Sequence, residues 1–258
     1  MNFKTLQLEN YNQHILIVTL NRPLLRNAIN SEMMSDLCDF WQTINTELRC
    51  IILTGYDAAF CAGADLKERN NLDQVTWKKH RAKLIAAIQA LIACPVPVIA
   101  AVNGAAFGGG LELLMACDFA YAAETALFAQ SEVKLGIIPG ALGTQHLPRA
   151  CGLRRAKELT FTGDTFTAED AYQWGIVNYL CTADRLMQEV LVTANKIAVN
   201  APLAVRFAKQ ALNMSQQLAI TEGFSYEQAA YDKLLLTQDR VEGIQAFNEK
   251  RKPKFIGE

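Results

Sequence analysis

The chain has 258 residues, with 25 Lys and Arg against 26 Asp and Glu for a formal net charge of -1, and 51% hydrophobic against 20% charged residues. That apolar fraction excludes intrinsic disorder, and the near-zero charge argues against a dominating field that would collect nucleic acid or anionic membrane, because such binding rests on clustered Lys and Arg. The length is about the limit for a single hydrophobic core, so one large domain with a smaller appended segment is expected.

Seven cysteines (Cys38, Cys50, Cys61, Cys94, Cys117, Cys151 and Cys181) are odd in number and contain no C-x-x-C pair. Neither a disulfide framework nor a zinc site is indicated, and small buried thiols in a reducing compartment are expected. Met1 to Leu8 shows no basic segment followed by an apolar stretch, so the whole chain reads as a mature cytoplasmic protein. The most apolar region, residues 84 to 123, is interrupted by Pro95, Pro97, Asn103, Glu112 and Asp118 and reads as core, not as a membrane span.

In chain order, short β-rich runs come first, at 15 to 20, 50 to 54 and 98 to 102. Their apolar residues are continuous where a half-exposed strand would alternate, which predicts strands covered on both faces. Between them, Met33, Leu37, Phe40 and Trp41 follow helical spacing behind Asn30-Ser31 as candidate caps, and Trp77, Leu84, Ile85, Ile88, Leu91 and Ile92 do so before Pro95. Strands alternating with helices predict an α/β core. Thr167 to Asp170 resembles a capping box opening a short helix that ends at Gly175, and 176 to 180 is the last expected strand. Helices alone are expected beyond it, near 184 to 198, from Pro202, near 221 to 236 and near 241 to 250. The division is a core over 1–195 and a helical carboxy-terminal segment over 196–258.

Glu112 sits among Leu111, Leu113, Leu114 and Met115, directly after Gly108-Gly109-Gly110. Glutamate is almost never fully buried without a partner or a role, so it reads either as a satisfied carboxylate on a polar helix face or as an acid/base group whose pKa apolar surroundings raise. Glycines before a helix start let backbone N–H groups approach a carbonyl oxygen that gains negative charge. Glu132 follows 20 residues later, before a glycine-rich turn, and could share a water with Glu112; its default is a surface residue beginning a loop. Phe60 to Lys67 carries a second small-residue turn, in which Asp65 reads as a helix cap and Lys67 as solvated charge. His14, His80 and His146 lie beside no candidate nucleophile, and neither a phosphate-binding loop nor a dinucleotide fingerprint occurs.

Taken together, Asn21-Arg22-Pro23 with Asn27-Ala28, the run Phe60 to Lys67, the run Ala101 to Gly104 continuing through Gly108 to Leu113 and Cys117-Asp118, and Pro139-Gly140 with Gly143-Thr144-Gln145 form an ordered set. On these the chain resembles the enoyl-CoA hydratase/isomerase (crotonase) family over nearly its full length. The resemblance implies an α/β spiral of ββα units with helical carboxy-terminal trimerisation, often a hexamer of two trimers. It implies an acyl-CoA thioester substrate, with coenzyme A part of that substrate and no metal or redox cofactor. Ala64 and Gly109 match the oxyanion-hole positions, and Glu112 and Glu132 the two catalytic glutamates of the hydratases. Arg22, Ala62, Lys67 and Lys250 match CoA contacts. Hydration is the expected reaction; methylglutaconyl-CoA hydration, Δ3/Δ2-enoyl-CoA isomerisation and a non-catalytic RNA-binding member are its alternatives. Ser131, Leu142 and His146 depart from the family's pattern, and at Ser131 the loss of a proline's rigid φ puts the acyl-chain preference in doubt.

Overall fold

The three apolar runs form the middle of a twisted sheet. The computed structural model describes residues 3–45, 47–70 and 72–258; Met1 and Asn2, part of the amino-terminal stretch read above, lie outside the described residues. The strands are Leu6–Asn10 (β1), Ile15–Leu20 (β2), Cys50–Gly55 (β3), Ala59–Cys61 (β4), Val98–Val102 (β5), Ala105–Phe107 (β6), Phe119–Ala123 (β7), Leu127–Ala129 (β8), Phe166–Thr167 (β9) and Tyr179–Cys181 (β10). The helices are Ser31–Gln42 (α1), Leu66–Arg69 (α2), Gln74–Ile92 (α3), Gly109–Met115 (α4), Gly143–Cys151 (α5), Leu153–Thr162 (α6), Ala168–Gln173 (α7), Leu186–Ala198 (α8), Pro202–Ser215 (α9), Ile220–Asp232 (α10) and Gln238–Asn248 (α11).

One sheet has the order β1-β2-β3-β5-β7-β10, parallel apart from the β1-β2 pair. Its register lines up Ile17, Ile52, Ile99 and Phe119 on one face and Val18, Leu53, Ala100 and Ala120 on the other. The first row packs against Leu186, Val190 and Ala194 of α8, and the second joins the main core with Met33, Leu37 and Phe60. Both faces are therefore covered, which is why these strands lack polar alternation; each buried Ile or Leu contributes roughly 2 kcal/mol of transfer free energy. A second sheet, β4-β6-β8-β9, is made of strands of two or three residues. No periodicity can be read from runs that short.

Asn30 accepts the Met33 N–H and caps α1 as expected, and Thr167 with Asp170 completes the capping box of α7. The last strand is shifted from 176–180 to Tyr179–Cys181, because the N–H groups of Ile176 and Val177 both turn back to the Ala171 carbonyl and close α7. Only with Asn178 does the chain reach the sheet, donating to the Ala120 carbonyl. The seven cysteines are free thiols, five of them buried. Among the described residues no helix is long and apolar enough to cross a membrane.

The division expected after residue 195 falls within α8, which lies on the sheet. The helices beyond it are tied to the core by polar contacts. Lys209 of α9, buried, donates to the Val96 carbonyl at 2.9 Å and to Asp118 Oδ2 at 2.8 Å, and the same Asp118 oxygen accepts the Val98 N–H at 2.7 Å. Arg49 donates to the carbonyls of Ala198 and Phe255, and buried Asp239 accepts the N–H groups of Ile256 and Gly257. Removing one member of a buried pair leaves the other charge uncompensated. Lys209→Met should therefore cost about 3 kcal/mol in denaturant unfolding, with part of the loss recovered in the double variant Lys209→Met/Asp118→Asn.

Candidate active site

Strands β4, β6 and β8 run parallel, so their carboxyl ends open in one direction. A site segment follows each at once: Ala62-Gly63-Ala64 after β4, Gly108-Gly109 after β6, and Gln130-Ser131-Glu132 after β8. α4 starts hard against the end of β4, where a Cβ on Gly110 would lie 2.1 Å from the Cys61 carbonyl oxygen, so only glycine fits there. This closeness brings two backbone nitrogens together. The nitrogen of Ala64 lies 3.9 Å from where a Cβ on Gly109 would stand, and that of Gly109 lies 3.4 Å from the corresponding point on Gly63. Gly109 is the first residue of α4, so its N–H is one that a helix leaves unpaired. The bridge between Ile29 and Ala64 uses the Gly63 carbonyl and the Asp65 N–H, and so leaves the Ala64 N–H out.

Glu112 points into this space from α4 and is only 3% exposed. Its Oε1 accepts the N–H of Ala141 at 2.7 Å and of Gly143 at 2.8 Å. A Cβ on Gly143 would stand 2.9 Å from that oxygen, so the approach needs glycine. Leu142, between the two donors, holds φ at 75°, a left-handed conformation that costs a residue with a side chain about 1 kcal/mol. Its carbonyl in return accepts the N–H groups of Gln145 and His146 and opens α5. Burial pushes the Glu112 pKa up to about 7; the two backbone bonds oppose the shift, the charge of Glu132 adds to it, and Arg69 opposes it.

Glu132, for which the residues alone gave a surface position as the default, is buried. A 3-10 turn over Glu132–Leu135 tucks the carboxyl over Gly108, whose Cβ position lies 3.3 Å from Oε1. Both carboxyl oxygens accept from the buried Gln130 side-chain amide, each at 3.0 Å. Ser131 takes φ of -98°, beyond the range that a proline ring permits, so the turn uses the freedom that serine gives it.

Glu112, Glu132, Ala62, Ala64 and Gly109 thus line one cavity of about 380 Å³. The other candidates do not line it. Arg22 pairs with Asp65 at 3.0 Å and donates to the Ala28 carbonyl, while Asp65 caps α2 as expected. Lys67 is exposed on α2, and Lys250 is exposed just past α11. The cavity is also lined by Arg69 and Arg81, which the motif reading passed over, and by Trp77 and His80, which it read only as a helix-face residue and a histidine beside no nucleophile. A signal for them existed, because Trp77, His80, Arg81 and Leu84 fall at i, i+3, i+4 and i+7 and share one helix face. A helix face that mixes Trp and Leu with His and Arg marks a cavity better than it marks a core.

Residues 10–258 match the enoyl-CoA hydratase/isomerase family. The chain belongs to that family. YngF of Bacillus subtilis is 46% identical over 251 residues, spanning 95% of this chain and 96% of its own. The mitochondrial enoyl-CoA hydratase of Pongo abelii is 40% identical over 246 residues, spanning 95% of this chain and 84% of its own. The crystal structure of an enoyl-CoA hydratase from Bacillus anthracis, 40% identical, superposes with a TM-score of 0.97 over 99% of this chain and 100% of that one. The expected α/β crotonase-like fold with its carboxy-terminal helices is the fold of this family member.

The Glu112 environment makes stability depend on pH with an unusual sign. The folded pKa of about 7 lies above the ordinary 4.5, so between those values the folded chain holds a proton that the unfolded chain has released. Stability from this group is present below pH 4.5 and is lost as the pH rises through 7. Relative to Glu112→Gln, the wild type should lose roughly 3 kcal/mol between pH 4 and pH 8 in denaturant unfolding. A difference that does not vary with pH would show that Glu112 is not so shifted.

Proposed function

We propose that this family member adds water across the 2,3 double bond of a trans-2-enoyl-CoA thioester to give the 3-hydroxyacyl-CoA, as a hydro-lyase. The observation that carries the reading is the meeting of two buried carboxylates and two adjacent backbone N–H groups in one cavity. The thioester oxygen accepts from the Ala64 and Gly109 N–H groups, and charge that develops on it as an enolate is stabilised by donors already in place. Water lies between the carboxyl groups. Ionised Glu112 takes one of its protons as the water oxygen bonds to C3, while Glu132 delivers a proton to C2. The proton gained by Glu112 then passes back to Glu132 through solvent exchange, so water is consumed and nothing else.

The CoA portion lies along Ala62 and the exposed Lys67, with Arg22 supporting that turn through Asp65. Lys250 reaches a neighbouring subunit's CoA in this arrangement. Exposed Leu212, Ile220, Phe224 and Phe247 support a trimer, or a dimer of trimers, built on the carboxy-terminal helices. A solution mass near three or six times 28.6 kDa would agree, and a monomer would overturn the assembly. The free cysteines support a reducing, cytoplasmic setting.

The test is loss of the conjugated thioester absorbance of crotonyl-CoA. Glu112→Gln and Glu132→Gln should each lower kcat by about 100-fold or more, since each removes a positioned proton-transfer group. Retention in Glu112→Gln with loss in Glu132→Gln would assign isomerisation by one carboxylate instead. For the wild type, kcat/KM should rise with pH along an acidic limb with an apparent pKa near 7, as the Glu112 base form appears.

A further inference from the structure

Two of the residues that break the family's pattern, Leu142 and His146, lie across the start of α5. Both line a groove shared with Met115 and Gln145, and neither lines the cavity that holds Glu112. His146 makes two hydrogen bonds. Its main-chain N–H donates to the Leu142 carbonyl at 2.8 Å, and its ring Nδ1 lies 2.7 Å from the carbonyl oxygen of Met115, the last residue of α4. A carbonyl only accepts, so Nδ1 carries the hydrogen and donates it. The Met115 carbonyl is among those that a helix end leaves without an internal partner, and the ring supplies one.

α4 and the start of α5 are therefore joined twice. Glu112 accepts the N–H groups of Ala141 and Gly143 on either side of Leu142, and further along α4 Met115 accepts from His146. Between the two links the chain passes through Leu142 at φ of 75°. A residue with a Cβ leaves that conformation when it can, and rotation there would turn the Ala141 and Gly143 donors away from Glu112. The bonds to Glu112 resist the rotation only while the carboxyl is charged at full strength, because hydrogen bonds to a neutral carboxyl are weaker. A group that gains and loses a proton in each turnover cannot alone hold its own donors in place. The His146 bond to Met115 does not involve that proton.

We propose that His146 is a positioning residue for Glu112: by clamping α5 to the end of α4 it holds the strained Leu142 turn, and with it the two N–H donors, in both protonation states of the carboxyl. The proposal rests on the reading of Glu112 as the base of the hydration, and it adds no group to the proton transfers. The charges that act on Glu112 from other elements, Glu132 of the 3-10 turn and Arg69 of α2, are untouched by a change at residue 146. Cys61 of β4, which α4 abuts, is a thiol that burial pushes up to about 12 and so stays neutral. Arg149 of α5 donates back to the Gln145 carbonyl. A change in the titration of Glu112 on replacing His146 therefore reports the two N–H bonds.

The experiment measures crotonyl-CoA hydration by the full-length enzyme across pH. His146→Phe, which keeps a ring and loses the donor, should lower kcat/KM about 10-fold near pH 6.5 and about 3-fold or less near pH 9, chiefly through kcat, because a Glu112 without its donors holds its proton to higher pH. His146→Asn, whose amide can put an N–H where Nδ1 stands, should recover most of the loss. In a Leu142→Gly background the same His146→Phe change should cost about 3-fold or less at either pH, since glycine holds a positive φ without strain and the turn has no tendency to rotate. His146→Met, flexible and apolar, is read in the same way if the phenylalanine variant does not fold. Equal losses in the two backgrounds, or a lower melting temperature with the pH profile unmoved, would overturn the proposal and leave His146 as a helix cap alone.

A second readout needs no turnover. The carboxyl stretch of Glu112, isolated as the infrared difference between each protein and its Glu112→Gln counterpart, should titrate at higher pH in His146→Phe than in the wild type and return toward the wild-type position in His146→Phe/Leu142→Gly. A titration that does not move in His146→Phe would reject the clamp. If crotonyl-CoA is not hydrated while the carboxyl titration still follows residues 146 and 142 in this way, the hydratase reading fails and the positioning of Glu112 by His146 stands.

Discussion

Three parallel strands of three residues each decide where every reactive group lies. β4, β6 and β8 anchor themselves in the main core through Phe60, Ala106 and Phe128, and their shared direction delivers three separate stretches of chain to one point. The ends of parallel strands in α/β folds are where ligands bind, because loops leave the sheet there and their backbone groups are free to face outward. Here the rule applies to the smaller sheet. The larger one holds the small sheet's ends in register through β3, which runs on into β4, and β5, which runs on into β6. A register slip of one residue in β6 would move Gly109 away from Ala64 and reverse the face that each β6 side chain occupies.

The second constraint is electrostatic and concerns a single oxygen. Glu112 Oε1 accepts two backbone N–H groups, enough by itself to hold a carboxylate ionised. Burial wins nonetheless, and the group titrates near neutrality. That balance needs the backbone of residues 141–143 to turn sharply, and the turn is taken by Leu142 in a conformation that glycine would adopt freely. Strain at that residue is held by the two carboxylate bonds and by the start of α5. The site therefore keeps a locally unfavourable backbone because the surrounding contacts over-determine it.

The long apolar strands were legible because burial on both faces erases alternation, and α1 was legible because Asn30 both ends an extended segment and caps a helix. The strands β4, β6, β8 and β9 were not, since two or three residues carry no period. Their positions could be inferred only from the glycines and small residues that follow them. Glu112 stood out as a charge in an apolar run, whereas Glu132 did not: its burial comes from a non-local contact with Gly108 and from Gln130, neither of which leaves a pattern around residue 132. The strand expected at 176–180 began late for a local reason, the closure of α7 by Ile176 and Val177.

The cavity has two kinds of wall, and they respond differently to change. One is made of main chain: the Ala64 and Gly109 nitrogens, and the N–H groups of Ala141 and Gly143 that hold Glu112. Side-chain substitution cannot remove those donors, and glycine contacts of 2 to 3 Å prevent most insertions of bulk beside them. The other wall is made of side chains on α2 and α3, a helical excursion between β4 and β5. Replacing Arg69, His80 or Arg81 there alters charge and width without moving a strand. The main-chain groups around Glu112 and the side chains of α2 and α3 thus rest on separate structural supports, so a substitution on the helical wall leaves the backbone donors in place.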